Sequence, residues 1–169
     1  MSLIAYYVQG DFPCCIREHA GLGHLCGYIG LPPCHPWYGR HYDDIPASVH
    51  GGLTLSHHER MGHPAEIARL EARVADPHTA IRWFYESELA AEKAGDGDPY
   101  PYDTGLDIWW IGFDCGHAWD ISPKATFPAF YSDATYKDEA YVRREIDKLL
   151  TQAAAAARQS SNEKAVGLS

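Results

Sequence analysis

Positive charge is in short supply: 14 Lys and Arg stand against 23 Asp and Glu, a formal net charge of −9. A surface that grips a nucleic-acid backbone by counterion release needs the opposite balance. The composition therefore argues against that class of partner, while leaving room for a small local basic patch. Long apolar runs are also missing. Nothing approaches the roughly 20 consecutive residues of a membrane-spanning helix. Residues 1–8 are apolar but short, with no basic leader, which is unlike a signal peptide, so a cytoplasmic location is expected. Cysteine is sparse and odd in number, at five. That pattern reads as reduced thiols and not as a disulfide framework. There is no internal repeat, and no linker long enough to separate two domains.

What is present suits one folded unit. A chain of 169 residues with 46% hydrophobic and 22% charged content matches a single domain with one core. Five Trp and eleven Tyr favour a well-packed interior or a surface that stacks on flat ligands. The organising stretch is Asp107-Ile-Trp-Trp-Ile-Gly-Phe-Asp-Cys-Gly-His-Ala-Trp-Asp120. Its apolar, β-branched and aromatic half predicts a buried strand. Its polar half, with Asp114, Cys115, His117 and Asp120, predicts a site where the strand opens into a loop.

Elsewhere, residues 2–8 and 26–31 predict strands, and residues 49–56 a further strand weakened by Gly51-Gly52. A glycine pair there marks a bulge or a close approach by a ligand or another backbone. Residues 10–25 read as a connecting loop with one helical turn near 16–19. Residues 64–74 and 76–94 have helical spacing, with Pro64 and Asp76-Pro77 as starts. Asp96 and Asp98 hint at a calcium loop that Pro99 breaks. Thr135 with Asp138 forms a capping box for a long amphipathic helix carrying Val142, Ile146, Leu149, Leu150 and Ala153 on one side. The expected fold is α+β: a single domain over residues 1–158, with a small, mostly antiparallel sheet packed by helices. Residues 57–95 form a helical insertion, and residues 159–169 a frayed tail.

Four groups of side chains carry chemistry. His50, Asp114, His117 and Asp120 are ligand types for a divalent transition metal, zinc or manganese, which would activate water for hydrolysis. The same residues also suit ordinary structural hydrogen bonds. Cys115 with His50 suggests a thiol nucleophile and its base, with His117 nearby. Phe113-Asp-Cys-Gly116 resembles the nucleophile segment of papain-like cell-wall peptidases, with the histidine moved ahead of the cysteine. The alternative is a Cys115 that is a small buried hydrophobe. Trp37, Tyr38, Arg40, Tyr42, Asp43 and Asp44 form a loop suited to stacking on a ring and pairing with an anion or hydroxyls, or else to packing over the sheet edge. His24, Cys26, Cys34 and His35, with Cys14 and Cys15 nearby, are zinc-ligand types at a spacing that fits no standard finger.

Cys26-Gly-Tyr-Ile-Gly-Leu31, His35-Pro36, Tyr42-Asp-Asp44, Val49-His-Gly-Gly-Leu-Thr54 and Trp109-Trp-Ile-Gly-Phe-Asp-Cys-Gly-His117 together resemble a family of small hypothetical proteins from bacteriophages and bacteria. The likeness covers roughly residues 26–120 without the helical middle. It implies an accessory role, such as modifying or sequestering a small molecule or binding a host protein. The functional expectation is a small metal-dependent hydrolase. Its rivals are a non-catalytic binder and a cysteine-nucleophile hydrolase.

Overall fold

The computed structural model describes residues 2–58, 108–126 and 131–166. The two helices expected within 64–94 and the Asp96/Asp98 loop lie outside these residues. Strands β1 (Ser2–Gln9), β2 (Phe12–Glu18), β3 (Leu25–Leu31), β4 (Leu55–His58) and β5 (Trp109–Asp114) form a single sheet. Its order is β1-β2-β3-β5-β4, and every pairing is antiparallel. One long helix, α1 (Glu139–Val166), packs on β2 and β3. The result is a small α+β domain. No helix among the described residues is long and apolar enough to cross a membrane.

Side-chain alternation assigns the strand residues to two faces. Cys14, Ile16, Leu25, Ile29, Leu31, Ile111 and Phe113 point to the face covered by α1. Cys15, Cys26, Tyr28 and Trp110 point to the other face and are buried as well. This explains why β3 is buried at all seven positions and reads as a continuous apolar run. Gly27 lets the helix come down on the sheet: a Cβ there would sit 2.7 Å from the Phe113 ring and 3.0 Å from Val142. The helix contributes Val142, Ile146, Leu149, Leu150 and Ala153, all buried. Each of its large aliphatic side chains contributes about 1.5–3 kcal/mol of burial before entropy is charged against it.

Four expectations need correction. Residues 12–18 are a strand and not a loop, because Cys14, Cys15 and Ile16 each find a partner across both neighbouring strands. The expected strand at 49–56 begins later and runs further, at Leu55–His58, so residues 57–58 are strand where the helical insertion was expected to begin. Gly51 and Gly52 have φ of 65° and 88°, and Gly52 N–H donates to Val49 O, so the chain turns there. The helix is capped by Asp138, whose Oδ1 accepts from Tyr141 N at 2.8 Å, whereas Thr135 pairs with Asp120 in an isolated bridge. The helix also continues to Val166, past residue 159 where the expected helix ends.

Candidate metal centre

Strand pairing brings the two key imidazoles together. Leu55 on β4 lies opposite Gly112 on β5. Stepping five residues back along one strand and five forward along the other arrives at His50 and His117. Both positions are in turns by then, and their rings lie 5.4 Å apart between centroids. His50 follows Val49 in the glycine turn. Gly51 is required twice over: its φ is positive, and a Cβ would fall 1.8 Å from His117 Nε2. The backbone thus lies directly against the His117 ring.

Asp120 arrives by a second tight turn. Its N–H donates to His117 O at 2.9 Å, and its carboxylate reaches back to accept from His117 N at 3.1 Å. The three-residue spacing works through this turn, with no helix involved. The Asp120 side chain is fully buried, and its Oδ2 accepts from His50 Nε2 at 2.7 Å. The other ring nitrogen, His50 Nδ1, meets the Tyr141 hydroxyl at 2.9 Å. Glu145 accepts from His50 N at 3.0 Å, and Gln152 holds Ser48 through both its N–H and its carbonyl. Helix α1 therefore fixes the turn that carries His50.

Two buried atoms in this cluster have no hydrogen-bond partner among the described residues: His117 Nε2 and Asp120 Oδ1. Lys137 Nζ stands 3.6 Å from Asp120 Oδ1, an ion-pair distance beyond hydrogen-bonding range. Ligand atoms of His50, His117 and Asp120 all lie within 4.8 Å of one another, so the group could hold a metal ion. No protein-family model, curated protein or solved structure matches this chain. The functional reading therefore rests on the geometry of the cluster itself.

Of the four expected ligands, three converge and Asp114 stands aside. Its Oδ1 accepts from Gly116 N at 2.9 Å and is 3.9 Å from His117 Nε2, so it shapes the turn beside the imidazole. The premise of an acidified Cys115 is reversed. No helix follows it, its N–H donates to Leu25 O, and its side chain lies in the core beneath α1. Burial pushes the thiol pKa well up, and the Asp120 charge adds to the rise.

The aromatic loop packs against the fold. Trp37 is buried in the core, Tyr38 lies against Trp109, and Arg40 O accepts from Trp109 Nε1. Tyr42 N donates to Ser56 Oγ, while Asp43 and Asp44 stand exposed on a single 3₁₀ turn. The other zinc-ligand types are dispersed. Cys14 and Cys15 face opposite sides of the sheet. His35 bonds through both nitrogens, to Trp37 N and Ala153 O. Sequence reasoning missed Lys137, Tyr141 and Glu145. Tyr141 lies 91 positions from the histidine it touches, and no local pattern marks it.

Proposed function

We propose that His50, His117 and Asp120 hold a divalent transition metal, zinc or manganese, and that the protein is a metal-dependent hydrolase. The observation that carries this reading is the pair of unpartnered buried atoms, His117 Nε2 and Asp120 Oδ1, beside a third ligand atom. Native folds rarely leave such groups unsatisfied. Two imidazoles and a carboxylate match the donor preference of zinc and its neighbours, and three protein ligands leave positions open for water and substrate. When bound, the ion would lower the pKa of a coordinated water and polarise a substrate carbonyl or phosphoryl oxygen.

The fit asks for a small adjustment. Donors about 2.0–2.2 Å from a tetrahedral ion stand about 3.4 Å apart. Were Oδ2 the donor in place of the unpartnered Oδ1, the His50–Asp120 contact at 2.7 Å would have to open by about 0.7 Å, which a modest side-chain rotation provides. Tyr141 suits both states. Its hydroxyl donates to His50 Nδ1 when Nε2 carries the proton, and accepts from Nδ1–H when Nε2 binds metal. The rival reading is a non-catalytic network that pins the His50 turn to α1. It is favoured by one observation: both His50 nitrogens already have partners.

His117→Ala separates the two. Among the described residues no hydrogen bond uses the His117 ring, so the variant is expected to fold with a near-native urea midpoint. Metal analysis and calorimetric titration of chelator-stripped protein should show one zinc per wild-type chain and a loss of at least about 100-fold in affinity in the variant. Absence of zinc and manganese binding by wild type, with no change in thermal stability on adding either ion, would reject the metal centre.

A further inference from the structure

We infer that the centre has an anion subsite, built by Lys137 beside Asp120 and Tyr141, and that the ligand of this site is a small phosphate- or carboxylate-bearing molecule. The inference rests on the metal reading above and adds the class of ligand.

Charge balance leads to it. Asp120 is fully buried at the side chain and Lys137 is only 16% exposed, so the two charges cancel in a partly dry place. A divalent ion added beside them leaves a surplus of two positive charges. Asp114 offsets part of this, but it is 31% exposed and tied to Gly116 N. Glu145, the other carboxylate in contact with the cluster, is already matched by Lys148. Surplus charge away from water is costly unless a counter-charge joins it. An anionic ligand supplies that charge.

The placement of the cations points the same way. Lys137 Nζ lies 5.2 Å from the Tyr141 ring centre, and the Arg144 guanidinium 5.6 Å from it. This ring belongs to the residue whose hydroxyl holds His50. Arg144 is exposed, whereas Lys137 also faces Asp120 Oδ1, so Lys137 is the cation placed at the proposed ligands. An ammonium has three donors, and among the described residues Lys137 donates one hydrogen bond, to Thr135 Oγ1. Its distance to Asp120 Oδ1 is too long for a hydrogen bond, so it has donors to turn toward a ligand oxygen. Lysine serves phosphate as a compact point charge.

The test uses manganese-loaded protein and inorganic phosphate, read by the relaxation of the phosphorus resonance. Free manganese is measured separately by electron paramagnetic resonance. Wild type should bind phosphate only when loaded. Lys137→Met should bind it at least about tenfold more weakly, Lys137→Arg should recover most of the loss, and manganese affinity in Lys137→Met should stay equal or rise. Phosphate binding that is absent in loaded wild type, or equal in Lys137→Met, overturns the subsite and leaves the metal reading standing. Failure of wild type to bind manganese or zinc overturns both.

Discussion

Replacing Asp120 by alanine should be among the most damaging single changes available in this cluster. The carboxylate is fully buried, accepts from His50 Nε2 at 2.7 Å and from His117 N at 3.1 Å, and faces Lys137 at 3.6 Å. Each hydrogen bond to a charged group is worth about 1.5–3 kcal/mol, and breaking a buried ion pair from one side costs about 3–5 kcal/mol. These contributions share one carboxylate and cannot simply be added, so the expected loss is about 3–5 kcal/mol. For a chain of this length that lowers Tm by roughly 6–20 °C. Asp120→Asn keeps the shape and one acceptor and loses the charge opposite Lys137, so it should lose about half as much. Urea unfolding of chelator-stripped protein, followed by tryptophan fluorescence at pH 7.5, gives both values. A loss below about 0.5 kcal/mol in Asp120→Ala, the range of an ordinary surface change, would show that the carboxylate does not hold the two turns together.

Two other outcomes follow from the same packing. Cys34 is exposed and the other four cysteines are buried, so native protein should take one carbamidomethyl group from iodoacetamide near neutral pH and five in urea; mass spectrometry showing native modification of Cys115 would revive the thiol nucleophile. His35 is buried, and desolvation holds its pKa below the ordinary value, with the bond to Ala153 O opposing the shift. The unfolded chain therefore binds the proton first, so stability is level above about pH 6.5 and falls as pH drops from there through the lower folded value. His24, also lowered by burial, adds to this fall, so urea midpoints between pH 8 and 5 should decline less steeply in His35→Gln, and an unchanged slope would contradict the assignment.

The sequence alone determined the elements whose pattern is local. The Trp109–Asp114 strand and the 26–31 strand announce themselves as uninterrupted apolar runs, because both faces of the sheet centre are buried. The buried stripe of α1 is legible because helical periodicity places Val142, Ile146, Leu149 and Ala153 on one side. The glycine pair at 51–52 reads as a bulge or a close approach by a ligand or backbone, whereas the group against Gly51 is the His117 side chain and Gly52 is open. Tertiary structure decided everything that depends on partners far along the chain. Residues 12–18 became a strand because β1 and β3 were there to pair with. Asp114 and Asp120 have the same chemistry and nearly the same sequence setting, yet one bonds its own turn and the other is driven inward against His50, Lys137 and the His117 amide. The raised pKa of the Cys115 thiol was decided in the same way, since it lies in the core that α1 covers, where a thiolate is costly. The physical reason is that short-range patterns fix which face a residue shows, whereas charge and hydrogen-bond satisfaction depend on what the rest of the chain brings to that face.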